Sequence, residues 1–118
     1  MVSKSTEEEL RSNLKEGRIK LGYNARTDRI YRAVKSIVDY GNIYHVLTDT
    51  PEQNSDVFRI LVDDQIVVGF ELDRDNSEAS PEEVQTFSVK EYMKATGGGL
   101  AAAELRIAIE LAQSELNH

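Results

Sequence analysis

Carboxylates, one internal histidine and a run of three glycines are the groups in this chain that could do chemistry. The 118-residue sequence holds 21 Asp and Glu residues, so carboxylate pairs fit for acid/base work arise by chance, and no pair is set apart by its flanks. His45 lies within an alternating run, and the other histidine, His118, is the last residue of the sequence. Nucleophilic catalysis needs a nucleophile, a base within reach and a group to orient the base. No Gly-x-Ser-x-Gly elbow supplies the first, and the absence of Cys removes thiolates, Cys-ligated zinc and disulfides together. Asp73-x-Asp75-x-Ser77 opens like a calcium loop, but Glu78 stands where that loop needs glycine and Val84 where it needs a bidentate Glu. Gly97-Gly98-Gly99 could cradle an anion at a helix start. Leu100 and three alanines follow it, however, in place of the Lys-Ser/Thr of a phosphate loop, and a tight connection between two helices accounts for the glycines. No enzyme activity, metal ion or cofactor is therefore expected.

The net charge of −7 conceals an uneven distribution. Between Arg11 and Lys35 the cations Arg11, Lys15, Arg18, Lys20, Arg26, Arg29, Arg32 and Lys35 meet only Glu16 and Asp28. Between Asp49 and Glu83 the balance reverses, and only Arg59 and Arg74 offset a long series of acids. Internal pairing of the two halves is one use of this pattern. A second is recognition, because a surface of one sign steers association and selects an opposite partner. On that reading Asp49, Glu52, Asp56, Asp63, Asp64, Glu71, Asp73 and Asp75 are the expected partner-binding residues, presented together by a hairpin tip and the loops flanking its strands. The alternative is a nucleic-acid or regulatory module using the basic helix 26–35, with Arg26, Arg29, Arg32 and Lys35 on phosphates and Tyr23 and Tyr31 stacking. Charges spaced by three wind around a helix, and the net negative charge repels a polyanion, so nucleic acid ranks second.

The elements that must position these residues start from Val57 to Leu72, two β-branched and aromatic runs around a polar turn, which reads as a β-hairpin. A three-residue loop, Asp63 to Gln65, groups Phe58, Ile60, Val62, Ile66, Val68, Phe70 and Leu72 on one face and leaves Val57, Arg59, Leu61, Val67, Gly69 and Glu71 on the other. A two-residue turn would mix polar and apolar on both, and a one-residue slip reverses every side chain. Ser5-Thr6-Glu7-Glu8 reads as a capping box opening a helix that Gly17 stops, with a short strand from Ile19 to Tyr23 competing against its continuation. Thr27 is the expected cap of a helix that carries Ile30, Val34, Ile37 and Val38 on one face and ends at Gly41. Ile43 to Leu47 reads as a strand and residues 48–56 as a solvated loop. Ser88-Val89-Lys90-Glu91 is a second capping box, so Val84 to Phe87 is read as an edge strand and Val89 to Ala95 as a short helix, with one helix from Pro81 to Thr96 as the competitor. Leu100 to Leu116 is the clearest helix, with Ala101, Leu105, Ala108, Ile109, Ala112 and Leu116 on one stripe and Leu100, Ile107 and Leu111 on a second ridge.

The expected fold is a single α+β domain over residues 1–118, an antiparallel sheet of three or four strands centred on the hairpin 57–72 and covered by helices at about 28–40 and 100–116. No apolar run approaches the ~20 residues of a membrane span, and a cytoplasmic location is expected. The profile is similar to that of bacterial immunity proteins and antitoxins in size, charge and lack of catalytic machinery. That resemblance implies a basic, nuclease-type toxin as partner, neutralised by carboxylates laid over its active site. A homodimer joined through Leu100, Ile107 and Leu111 is the third expectation.

Overall fold

The computed structural model describes residues 4–19, 22 and 24–117. In chain order its elements are α1 (Lys4–Glu16), α2 (Ala25–Ile37), β1 (Tyr44–Pro51), β2 (Ser55–Val62), β3 (Ile66–Asp73), β4 (Glu82–Ser88), α3 (Val89–Thr96) and α4 (Gly99–Leu116). The strands form one antiparallel sheet in the order β1-β2-β3-β4, which makes the fold α+β.

The β2–β3 hairpin has the register that its apolar alternation demands. Val62 pairs with Ile66 around Asp63-Asp64-Gln65, and Phe58 faces Phe70. The left-handed position of the loop is taken by Asp63, at φ 53°, a conformation that Asp tolerates better than most side chains, so Gln65 need not be glycine. Phe58, Ile60, Val62, Val68, Phe70 and Leu72 are buried with Ile30, Ala33 and Val34 of α2. Leu61 and Val67, on the other face, are buried with Leu10 and Leu14 of α1 and Leu105, Ile107 and Ala108 of α4. Each large apolar side chain so buried contributes roughly 1.5–3 kcal/mol. The sheet is therefore covered on both sides. The C-terminal helix does not share the apolar hairpin face with α2, because Leu61, Val67, Leu47 and Phe87 give the mixed face a core of its own.

Several element ends differ from the sequence reading. Ser5 already lies inside α1, so the cap position of that helix falls outside the described residues. Asn24, not Thr27, caps α2, and its side chain accepts from the Thr27 amide at 2.7 Å. Asn is at least as good a cap as Thr, and the earlier start adds a turn. At the other end α2 stops at Ile37, and Val38 turns extended at φ −129° to join the core with α2. Gly41 follows at φ 114°, and a Cβ there would lie 2.6 Å from Val62 Cγ1; glycine is what fits.

β1 continues through Thr48, Asp49, Thr50 and Pro51, where the sequence suggested a loop. These residues pair with Arg59 to Asp56 of β2 after a bulge between Val46 and Thr48, and an edge strand accepts both polar residues and proline. Half of its outer edge is covered. Ile19 donates to the Tyr44 carbonyl at 2.9 Å and Val46 to that of Gly17 at 3.0 Å, while Arg18 bridges to His45. The chain is thus extended after α1; Lys20, Leu21 and Tyr23 of the competing strand lie outside the described residues. The second capping box is present in full, with Ser88 N–H donating to Glu91 at 2.9 Å and Glu91 N–H to Ser88 Oγ at 3.1 Å. Those bonds hold the Glu91 carboxyl below its ordinary pKa. Gly97, Gly98 and Gly99 all have positive φ and turn α3 into α4. Among the described residues no helix is long and apolar enough to cross a membrane.

Candidate functional site

The eight expected interface residues occupy opposite ends of the hairpin. Asp63 and Asp64 sit at its turn, whereas Asp49, Glu52, Asp56, Glu71, Asp73 and Asp75 lie around the far ends of β1, β2 and β3. An eight-residue strand separates the two ends by roughly 23 Å at ~3.3 Å per residue. The expectation that the hairpin tip and its flanking loops present all eight in one place is therefore corrected: the turn and the open end of the ladder are separate places on the sheet.

Asp63 leaves the site for a second reason. It is only 8% exposed, and one carboxylate oxygen accepts from the amides of Asn42 and Ile43, both at 2.9 Å. Its own amide donates to the Ile43 carbonyl at 2.7 Å. It clamps the chain entering β1 and is a fold residue. Asp64 accepts from the Gln113 amide group of α4 at 3.3 Å.

At the open end, part of the acid is neutralised within the chain. Arg26 of α2 lies 2.5 Å from Asp49 and 4.0 Å from Asp56, with its guanidinium 5.4 Å from the centre of the Phe58 ring. Arg74 meets Asp56 at 3.5 Å and donates to the carbonyls of Glu52 and Ser55. Arg29 donates to the carbonyls of Asp73 at 2.7 Å and Asn76 at 2.9 Å. Two arginines of the basic helix are thus engaged within the chain, Arg26 with β1 and β2 and Arg29 with the end of β3 and the loop after it. Glu52, Glu71, Asp73 and Asp75 remain without a cation in ion-pair distance among the described residues, and Glu82 and Glu83 of β4 join them.

Glu82 and Glu83 are the residues that sequence reading left out of the site. Glu82 is the cross-strand partner of Glu71, after a register shift between Gly69 and Glu71, and Glu83 holds φ 51°. Like charges set opposite each other weaken a ladder. The acidic run in the sequence contained both residues, but only the bulged pairing of β4 brings them beside Glu71. Glu71 and Glu83 also line a shallow depression of about 310 Å³ with Val57, Arg59, Phe70 and Gln85. Arg59 lies over Gly69, where an added Cβ would come 2.7 Å from Nη1.

The apolar ridge of α4 does not survive as a surface. Ile107 is 2% exposed and belongs to the core under the sheet, Leu111 is half-buried against that core, and only Leu100 stands out in solvent. No family model matches the chain, and no curated protein and no solved structure matches it.

Proposed function

We propose that the chain is a non-enzymatic binding domain that uses the acidic open end of its sheet to hold a basic protein, acting as an immunity protein or antitoxin toward a nuclease-type toxin. The observation behind this reading is the Glu71–Glu82 pair: two acidic residues opposed across a ladder, close in the chain to Asp73, Asp75 and Glu83, with no cation within ion-pair distance of any of them among the described residues. Folding gains nothing from such repulsion. A cationic partner would relieve it and would be drawn to it from a distance.

The free edge of β4 lies beside this patch. Exposed strand edges invite pairing with other chains, and charges and bulges blunt that tendency. Glu82, Glu83 and the bulge are devices of that kind, so self-pairing through β4 is disfavoured while the carboxylates stay accessible. The nucleic-acid reading has less support, because Arg26 and Arg29 are already engaged within the chain.

The test is affinity capture from lysate of the source cells at low and at high salt, followed by an activity assay of what is captured. One stoichiometric basic protein, released by salt and inhibited as a nuclease when the domain is added back, supports the proposal. Nucleic acid in the eluate, or a captured protein whose activity is unaffected, overturns it.

A further inference from the structure

Building on the reading of the partner as a basic protein, we infer that the outer edge of β4 takes up an extended segment of that partner as a fifth strand, its apolar side chains toward α2 and its basic ones toward Glu71, Glu82 and Glu83. β4 is the last strand of the sheet, with β3 on one side and no strand on the other. The other outer edge, that of β1, is half covered by residues 17–19. From Glu82 to Ser88 every residue is exposed except Phe87, which is half-buried. Each residue of a strand carries a backbone donor and acceptor, and alternate residues turn theirs to the open side, the template that strand addition uses.

The two faces of β4 differ, and the difference specifies the occupant. Thr86 and Ser88 pair with Val68 and Ile66 and lie on the α2 side, whereas Gln85 and Phe87 pair with Gly69 and Val67 on the other. On the α2 side Val84, 46% exposed, lines a cleft of about 550 Å³ with Ala33, Ile37, Leu72 and Pro81. Arg29 and Arg32 outnumber Glu78 in the same lining, so the cleft suits an apolar side chain and disfavours a basic one. On the opposite side Glu71 and Glu83 outnumber Arg59 in the depression they share, and Glu82 stands across from Glu71. Side chains of a strand alternate between faces, so the segment that fits has apolar and basic residues in turn. Glu82 and Glu83, which disfavour pairing with a second copy, attract such a segment.

The register locates the paired stretch. Gln85 to Ser88 follow β3 residue for residue, and beyond them Glu83 and Val84 stand against Phe70 alone at the bulge. Ser88 gives its amide to the Glu91 side chain, which marks it as a residue turned away from β3, and by alternation Thr86 is turned the same way. The Thr86 N–H and C=O are therefore the groups that an added strand meets, with Val84 and the carboxylates of Glu82 and Glu83 supplying side-chain contacts toward the bulged end.

The experiment is a titration of ¹⁵N-labelled protein with the peptide acetyl-Lys-Val-Lys-Val-Lys-Val-Lys-amide, with two forms of it N-methylated on the valines or on the inner lysines, and with heptalysine. N-methylation removes donors from one edge of the added strand and leaves its charge unchanged. The parent peptide is expected to bind with a Kd on the order of 100 μM, to shift the β4 amides and to slow exchange of the Thr86 amide. One methylated form is expected to bind at least tenfold more weakly and the other within about threefold of the parent, and Val84→Ser, an exposed change, to weaken the parent about threefold or more. Equal binding by heptalysine and by both methylated forms would overturn strand addition while leaving the acidic end a surface for cations; no binding by any of the peptides would count against both. A free domain that sediments as a dimer, with β4 amides protected, would show the edge taken by a second copy and would also overturn the proposal.

Discussion

The Asp63 carboxylate accepts the backbone N–H of Ile43 at 2.9 Å, joining the β2–β3 turn to the residue before β1. The same oxygen takes the Asn42 amide, so one side chain satisfies two donors where the chain enters the sheet. Asp63→Ala is expected to destabilise the fold by about 2–4 kcal/mol, since charge-assisted hydrogen bonds are lost and buried amides are left unpaired. Asp64→Ala is expected to change stability by less than about 0.5 kcal/mol, the usual effect of a surface change. Urea unfolding of the two variants separates them; equal losses would refute the assignment of Asp63 as a clamp.

Gly41 makes a second prediction about the same junction. Its positive φ and the closeness of Val62 Cγ1 combine backbone strain with overpacking for any side chain, so Gly41→Ala is expected to cost about 2–4 kcal/mol. A midpoint in urea unchanged from wild type would show that this turn relaxes freely.

Ile107 distinguishes a core role from an interface role. Because it packs with Leu61, Val67 and Leu105, Ile107→Glu is expected to unfold the domain or lower its stability by more than about 3 kcal/mol, through the burial of an unpaired charge. Circular dichroism and sedimentation of the variant decide the matter. A folded monomer derived from a wild-type dimer would restore the interface reading of that ridge.

Glu104, half-buried, and His45, fully buried, bend the pH dependence of stability in opposite senses. Burial raises the Glu104 carboxyl from 4.5 to about 6. Its contribution is therefore complete below the unfolded value and is lost as pH climbs through about 6. His45 is depressed by burial, so its contribution is complete above its ordinary value of 6.5 and is lost as pH falls from there through its lower folded value. Glu104→Gln should gain on wild type by about 1 kcal/mol between roughly pH 4.5 and pH 7.5. A tenfold change in proton affinity is worth about 1.4 kcal/mol, and solvent around a half-buried carboxyl screens part of the effect. Urea curves at the two pH values test this, and a difference that stays constant with pH would contradict it.

The hairpin was legible because alternation along Phe58, Ile60, Val62, Ile66, Val68, Phe70 and Leu72 admits one register with an all-apolar face, and that face is buried. The Ser88 box, the β4–α3 boundary and the α4 helix were legible for local reasons, caps and periodicity. What could not be read was pairing at a distance. Nothing local in Thr48-Asp49-Thr50-Pro51 marks a strand; its ladder comes from β2. Nor does the spacing of Asp63 from the other acids reveal that a carboxylate will turn inward to two amides, or that Glu82 will come to face Glu71 across a bulge. The residues of the candidate site were thus visible as a charge run, and their division between the two ends of the sheet was not.

Binding through the acidic end of the sheet is probed by the kinetics of association between the captured basic partner and two proteins, wild type and the triple variant Glu71→Lys, Asp73→Lys, Asp75→Lys, across a range of salt. Glu71 accepts from Ser55 Oγ at 3.2 Å and Asp73 from the Asp75 amide at 2.8 Å, bonds worth about 1 kcal/mol each, so the variant is expected to lose some stability and to stay folded, which urea unfolding run beside the kinetics checks. Its association rate at low salt is expected to be at least tenfold slower, and its salt dependence much flatter than that of wild type, as loss of electrostatic steering requires. Equal rates and equal salt slopes for the two proteins would show that the acidic end does not bind the partner.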